Sequence, residues 1–305
     1  MANIKVSLDK AIRLWEPTQA TFAVMSLPML EVSSENGTVP VSPAAVLMGT
    51  STIDGKFGKG DSIPQLDSDV KYIQFKCARY GGRHVVDALD KEELNARDIL
   101  TASDFAVSAA NHGLSTLERE LGKILKAQGT AAGNDLISTF ALPAGREFNN
   151  FDSATSDPMG DIQKLIEDTM NGDTLYIGRD VQNALRRHPQ FTGDLGTART
   201  AAGKMLPVSG FKELLVATFG FAHVIDEDSI YSANGVNQAL SPTRALNGVC
   251  AVGHYKNIQL VVRKKMEPSV WEDKETTSTQ VASYGSYDLV VAQAEFTKGL
   301  TNVLE

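Results

Sequence analysis

The glycine–lysine stretches of this chain do not form the known phosphate-binding loop. That loop places four residues between two glycines and follows the second glycine with Lys and then Ser or Thr. Gly49–Lys56 has five residues between its glycines and Gly196–Lys204 has six. Neither lysine precedes Ser or Thr. The sequence therefore does not predict a nucleotide hydrolase of this class.

The histidines and serines also lack the spacing of known hydrolase sites. There is no His-x-x-x-His pair and no Gly-x-Ser-x-Gly turn, so neither a zinc protease nor a serine hydrolase of those types is indicated. The scattered histidines are His84, His112, His188, His223 and His254. His188 follows two arginines and precedes Pro189, which predicts a positive group at a helix C-terminus.

The two cysteines, Cys77 and Cys250, are too few for a disulfide framework or a structural zinc site. We expect both to be reduced and to lie in strands as small apolar residues. The sequence thus predicts no catalytic, cofactor-binding or metal-ligating residue, no cofactor and no enzymatic activity.

Two short runs of charge have alternative interpretations. Asp226-Glu227-Asp228 could bind a cation, but a solvated loop is favoured because metal sites need ligands that converge from several positions. Arg263-Lys264-Lys265 could contact DNA or an acidic surface of a neighbouring molecule. In a strand, Arg263 and Lys265 would face one way and Lys264 the other, so we expect no single basic patch.

The composition is that of an ordinary globular protein. Charged residues make up 22% of the 305 residues and hydrophobic ones 42%, which argues against a disordered or fibrous chain. The formal net charge of −8 has the wrong sign for gripping nucleic acid through its phosphates. No stretch is long and apolar enough for a signal peptide or a membrane span, so we expect a cytoplasmic location without membrane contact.

The first part of the chain predicts an arm and a projecting hairpin. Residues 1–40 combine apolar residues without a steady period and several prolines, which favours an extended arm. Strands at Val39–Met48 and Val70–Ala78 flank the Gly- and Asp-rich stretch Gly49–Ser68. This pattern predicts a hairpin whose tip projects from the core, or alternatively a surface hairpin without a partner.

A long helix is predicted within Ala96–Gln128. Its apolar stripe has spacings of three and four and consists of Leu114, Leu117, Leu121, Ile124 and Leu125. Glu118, Arg119, Glu120 and Lys123 are expected on a solvated face. Gly113 interrupts the pattern and suggests a separate shorter helix before it.

The second half begins with clear signals for local elements. Asp157-Pro158 predicts a helix start, with Asp157 as the N-cap and Pro158 at the first helical position. Thr174–Ile177 is a short apolar strand, followed by a helix over Asp180–Arg187. Ser209 is expected to cap a further helix that ends at Gly220.

More strands are predicted towards the C-terminus. A strand is expected at Ala222–Ile225, and a pair at Gly248–Gly253 and Ile258–Arg263 is joined by a turn at His254–Asn257. Alternating apolar residues from Tyr287 predict a strand that returns to the long helix.

The order of these elements resembles the tailed-bacteriophage major capsid proteins with the Hong Kong 97 type of fold. The residues that carry the resemblance are the "TLYIG" strand, the "ALRRHP" helix and the "ELL…FGFAHVI" helix–strand pair, within Asp157–Val262. The resemblance implies an α+β fold with an N-terminal arm (1–40), an extended E-loop hairpin (41–80), a peripheral domain with a spine helix (81–173), an axial domain (174–265) and a return to the peripheral domain (266–305).

The resemblance also implies which residues contact neighbouring subunits. They are Trp15 of the arm, five residues of the hairpin tip and the acidic run of the axial domain: Asp54, Lys56, Phe57, Lys59, Asp61, Asp226, Glu227 and Asp228. The implied partners are many copies of the chain in pentamers and hexamers, a separate scaffolding protein, a portal and a decoration protein. DNA would be enclosed without sequence-specific binding.

The resulting prediction is a major capsid protein that self-assembles in the host cytoplasm into the icosahedral shell of a virion. Such a shell needs several different contacts per chain, whose rotations close the surface. Two alternatives stay open at this point. One is the shell protein of an encapsulin-like nanocompartment, and the other is an uncharacterised α/β enzyme.

Overall fold

A computed structural model describes residues 22–41, 71–87, 102–127, 137–151, 155–192, 207–226, 231–232, 242–243, 246–273 and 278–304. The α-helices are α1 (Ala102–Leu125), α2 (Pro158–Glu167), α3 (Arg179–Leu185), α4 (Pro189–Thr192) and α5 (Val208–Phe219). The strands are β1 (Met29–Glu31), β2 (Asn36–Val41), β3 (Lys71–Lys76), β4 (Ala78–Asp87), β5 (Ser138–Ala141), β6 (Thr174–Ile177), β7 (His223–Asp226), β8 (Tyr231–Ser232), β9 (Pro242–Thr243), β10 (Cys250–Gly253), β11 (Ile258–Asp273), β12 (Ser278–Val291) and β13 (Thr297–Thr301). Within these described ranges, 3-10 helices span Ala23–Ser26 and Ala294–Phe296.

The first sheet has the strand order β1-β11-β12-β4 and is built around a long hairpin. β11 and β12 are antiparallel over 16 and 14 residues, and β1 joins β11 in parallel. Successive side chains of a strand face opposite sides, so this sheet has two different surfaces. Helix α1 covers the surface that carries Leu260, Tyr287 and Leu289.

The opposite surface of this sheet is covered by the paired strands β2 and β3. They are antiparallel, with Val39 opposite Ile73. Ile73 and Phe75 pack on Val261 and Val290. The base of the predicted hairpin is therefore fixed to the core of its own chain, whereas its tip lies outside the described residues.

Helix α1 has the predicted apolar stripe, which is buried against the first sheet. It is one helix of 24 residues through Gly113, so the prediction of a separate shorter helix was wrong. The reason is a close approach: a Cβ atom on Gly113 would lie 2.6 Å from the backbone nitrogen of Gly81 in β4. The glycine permits contact between helix and strand and does not break the helix.

Glu118 does not lie on a solvated face of α1, contrary to the prediction. Its side chain is fully buried and accepts hydrogen bonds of 2.8 Å from the backbone N–H groups of Ala23 and Val24. Phe22 and Leu27 are buried in the same core. Residues 22–32 of the predicted arm, which include β1, thus pack on the chain's own core.

The second sheet has the order β5-β13-β10-β6-β7 and lies among α2, α3 and α5. Strand β6 has the predicted bounds, and all four of its residues are buried. Helix α2 begins at Pro158, and the Asp157 side chain accepts a hydrogen bond of 3.1 Å from the Gly160 N–H. These local predictions are confirmed because each rests on a signal within a few residues.

Helix α5 begins earlier than predicted. Its first residue is Val208 and Pro207 occupies the N-cap position, so Ser209 lies within the first turn and does not cap the helix. Proline at the cap fixes an extended backbone there and needs no N–H partner. The predicted end is confirmed: Gly220 has a left-handed backbone with φ of +75°.

Strands β6, β7, β10 and β11 of the predicted axial segment, 174–265, are shared between the two sheets. β5 and β13 lie in the same sheet as β6, β7 and β10, and β11 belongs to the other sheet. Across the described residues, no helix is both long and apolar enough to cross a membrane.

Candidate functional site

Of the residues predicted to contact neighbouring subunits, the structure describes Asp226. Trp15, the tip residues Asp54, Lys56, Phe57, Lys59 and Asp61, and the acidic residues Glu227 and Asp228 lie outside the described residues. Their predicted contacts stay predictions.

Asp226 is the last residue of β7 and binds side chains of its own chain. Its Oδ1 lies 2.7 Å from the Nζ of Lys212 on α5. Its Oδ2 accepts a hydrogen bond of 3.5 Å from Gln182 on α3 and lies 4.0 Å from a guanidinium nitrogen of Arg179. The carboxylate therefore joins the end of β7 to two helices.

The basic run on β11 is paired within the chain. Arg263 lies 3.2 Å from Glu35, Lys264 lies 3.0 Å from Glu267 and Lys265 lies 2.7 Å from Glu31. The hydrogen bond between Lys265 and Glu31 raises the pKa of Lys265 and lowers the pKa of Glu31. Exposed pairs of this kind contribute little stability, but they offset the positive charge locally.

His188 is buried and does not act as a positive group at a helix end, contrary to the prediction. Burial lowers its pKa and favours the neutral ring. Its Nδ1 accepts the Gln190 N–H at 3.3 Å, so the proton resides on Nε2, which points at the Ser156 hydroxyl 3.3 Å away.

The Ser156–His188 pair has the wrong proton arrangement for a nucleophile and its base. Ser156 donates its own proton to the Glu147 carbonyl at 2.9 Å. A general base must instead accept the serine proton through a free ring nitrogen. The pair therefore satisfies buried polar groups and joins the residues just before α2 to those just before α4.

Asp173 forms the centre of a second polar cluster at the edge of the second sheet. Its carboxylate accepts the Tyr255 N–H at 2.7 Å and lies 3.1 Å from the Nδ1 of His254. The rings of His223 and Tyr255 stack with centroids 4.0 Å apart. These contacts hold the predicted turn at His254–Asn257 against the start of β6 and β7.

No group of three or more His, Cys, Asp or Glu residues that could hold a metal ion occurs in the described ranges. Both cysteines are free and buried. Burial raises the pKa of Cys250 to about 12 and also raises the pKa of Cys77. Protonated thiols of this kind are poor nucleophiles and poor metal ligands.

A groove with a volume of about 420 Å³ lies between the N-terminal 3-10 helix, α1 and the β11–β12 hairpin. Its walls are mostly apolar and include Met25, Met29, Val107 and Met266, with Lys265 at its edge. Met25 and Met29 are both more than one third exposed. The described residues that line the groove include Lys265, Ser283 and Tyr287 but no converging set of polar groups that would orient a substrate.

A further exposed apolar surface lies on the far half of the hairpin. Val85, Gln280 and Trp271 are direct neighbours across β4, β12 and β11, on the surface facing away from α1. Val85 is 56% exposed and Trp271 is 41% exposed. Val85 and Trp271 thus lie on either side of Gln280, and exposed apolar residues near one another are typical of surfaces that contact other proteins.

Solved structures with the same arrangement extend over nearly all of the chain. A phage-related protein from Bordetella bronchiseptica RB50 matches with a TM-score of 0.59 and 13% identity, covering 97% of this chain and 96% of its own. The virus-like particle from Pyrococcus furiosus matches with a TM-score of 0.55 and 12% identity, covering 96% of this chain and 97% of its own. The mature capsid of bacteriophage PhiM1 matches with a TM-score of 0.54 and 13% identity, covering 94% of this chain and 89% of its own.

The chain has the Hong Kong 97-type capsid fold. This confirms the fold predicted from the order of its elements. No family model matches the sequence, and no match to a curated protein is found. Identities of 12–13% mean that these matches show a shared fold and no closer relationship.

Two features of this Hong Kong 97-type chain were missed by the sequence analysis. The exposed pair Val85 and Trp271 could have been noticed because Trp271 directly precedes the charged stretch Glu272–Glu275. The buried carboxylate of Glu118 had no such signal, since it stands among charged neighbours on α1. Its partners lie more than ninety residues away in sequence.

Proposed function

We propose that the chain is a major capsid protein whose copies assemble into pentamers and hexamers of an icosahedral shell around double-stranded DNA. The observation that carries this proposal is the match of whole chain to whole chain with proteins described as capsids or virus-like particles. Because almost nothing is left over on either side, the similarity is not limited to a common substructure. Function here is self-association, not catalysis.

The mechanism follows from the way the chain is built. The strands β2 and β3 are rooted on the first sheet, and residues 42–70 connect them. We expect this connection to lie across a neighbouring subunit, where Phe57 would be buried and Lys56 and Lys59 would meet acidic groups. Contacts that are individually weak become strong in a closed shell because each copy is held at several places.

The acidic run beginning at Asp226 is expected to lie near a local symmetry axis, where loops can adjust to fivefold and sixfold rings. The net charge of −8 suits a container that confines DNA without adhering along its length. A separate scaffolding protein, a portal and a decoration protein would complete the virion.

A second candidate is the shell of an encapsulin-like nanocompartment that encloses enzymes. The match to the Pyrococcus furiosus virus-like particle, at 96% and 97% coverage, favours it. The two candidates share the shell and differ in its contents. Particles that contain DNA, from a gene cluster with terminase and portal genes, would indicate a phage, whereas a co-purifying enzyme would indicate a compartment.

The test is electron microscopy and sedimentation of the purified protein, alone and co-expressed with the scaffolding protein from its gene neighbourhood. We expect uniform hollow shells or rings of capsomers. A species that stays monomeric at every concentration, with and without the scaffold, would refute the proposed function.

A further inference from the structure

Glu118 differs from Glu120, a carboxylate on the same helix α1, in being fully buried. Its exposed fraction is zero, although carboxylates are almost never fully buried unless they are hydrogen-bonded or paired with a cation. Glu120 on the same helix shows the ordinary situation, since its side chain is 43% exposed and lies 2.9 Å from Lys123. Burial of Glu118 therefore needs a structural explanation.

The explanation lies in the N-terminal 3-10 helix. Ala23 and Val24 are its first residues, and their N–H groups have no partner inside the helix. The N-cap residue, Phe22, offers no side-chain acceptor. The two oxygens of Glu118 accept these two N–H groups, each at 2.8 Å. A carboxylate that accepts from backbone N–H groups makes strong, directional bonds.

These two bonds hold the point from which the N-terminal segment begins. Phe22, to which residues 1–21 are joined, is buried beside them. Downstream, the Leu260 N–H donates to the Pro28 carbonyl at 3.0 Å and the Val32 N–H donates to the Val262 carbonyl at 2.9 Å. The segment 22–32 is thus fixed to α1 at its start and to β11 at its end.

We propose that Glu118 is a positioning residue for assembly: by binding Ala23 and Val24, it fixes the place on the subunit where the segment 22–32 begins. The inference rests on the proposed shell function. A shell closes only if each contacting segment leaves its subunit in a defined direction. Loss of the clamp therefore lowers the yield of closed shells while the remaining core stays folded.

The test is Glu118→Gln, with Glu120→Gln as the matched control on the same helix. Glutamine keeps the size of the side chain but presents one oxygen and one NH2 group, so one backbone N–H group would face a second donor. Native-state hydrogen exchange at the Ala23 and Val24 amides is the first measurement. We expect exchange at one or both to become roughly ten- to a hundredfold faster in Glu118→Gln, and to stay unchanged in Glu120→Gln.

The second measurement is the yield of closed particles by sedimentation and electron microscopy, which we expect to fall in Glu118→Gln and to stay normal in Glu120→Gln. Unchanged exchange at Ala23 and Val24 would overturn the clamp itself. Faster exchange with a normal yield of shells would overturn its role in assembly. If Glu118→Gln does not fold, Glu118→Asp, which keeps the charge on a shorter side chain, is judged by the same two measurements.

The outcomes also separate this inference from the proposed function. If the unaltered protein forms no particles under any condition, the shell function fails. The exchange measurement still reports on the clamp in that case, because it uses the subunit alone.

Discussion

Replacing Gly113 with alanine tests the close contact between α1 and β4. At an open position within a helix, this change stabilises a protein by about 1 kcal/mol, because alanine loses less backbone freedom on folding. At Gly113, a Cβ atom would lie 2.6 Å from the nitrogen and 2.7 Å from the Cα of Gly81. Both are backbone atoms, so neither can rotate away as a side chain can.

The expected magnitude is the difference between these two effects. Overpacking a core costs about 1–3 kcal/mol, and the helix gain offsets about 1 of it. Because backbone atoms must move, we expect the upper part of that range and a net loss of about 1–2 kcal/mol in the free energy of unfolding. Urea denaturation followed by circular dichroism measures it.

Gly210→Ala in α5 is the matched control. The nearest atom to its added Cβ would be the Pro207 Cγ at 3.4 Å, an ordinary contact. The same substitution should there leave stability unchanged or raise it by up to about 1 kcal/mol. If Gly113→Ala stabilised the protein as much as Gly210→Ala, the helix and the strand could not lie as close as the structure has them.

Three further predictions concern the core, pH and assembly. Leu117→Ala and Leu121→Ala each truncate a fully buried side chain, so each should lower the free energy of unfolding by about 2–5 kcal/mol in urea denaturation; a loss near zero at both positions would contradict the packing of α1. Burial lowers the pKa of His188 below its ordinary value of 6.5, so the unfolded chain takes up this proton first and stability should fall as the pH drops below 6.5. His188→Gln should flatten that part of the stability–pH curve, and an unaltered curve would show that His188 is not the group involved. Replacing residues 54–61 with an Asn-Gly turn should leave the melting curve by circular dichroism nearly unchanged while closed particles are lost; normal shells would show that the tip makes no essential contact.

Local signals in the sequence predicted much of the second sheet and its helices. The strand Thr174–Ile177 was predicted with its observed bounds because an apolar run is flanked there by polar and glycine residues. Asp157 and Pro158 marked the start of α2 because capping and the fixed φ of proline act within one turn. Gly220 marked the end of α5 because the left-handed backbone there favours glycine.

Three of the predictions that failed depended on residues far away in the chain. Gly113 was predicted to interrupt the helix, but it lies in close contact with the backbone of Gly81. Glu118 was predicted to be solvated because its hydrogen-bond donors are the backbone N–H groups of residues 23 and 24. Backbone groups leave no signal in the pattern of side chains. His188 looked like an exposed helix end, but Ser156 and the surrounding core bury it.

Local patterns in the sequence predicted the long helix and the elements from Asp157 to Gly220, and their order resembled the Hong Kong 97-type fold, because periodicity, caps and turns act over a few residues. The tertiary structure decided which strands share a sheet: β5 and β13 pair in parallel and join β10, although about 155 residues separate the first two. It also decided which charged groups are buried. Such choices depend on the free energy of contacts between distant segments, and a local pattern does not encode that free energy.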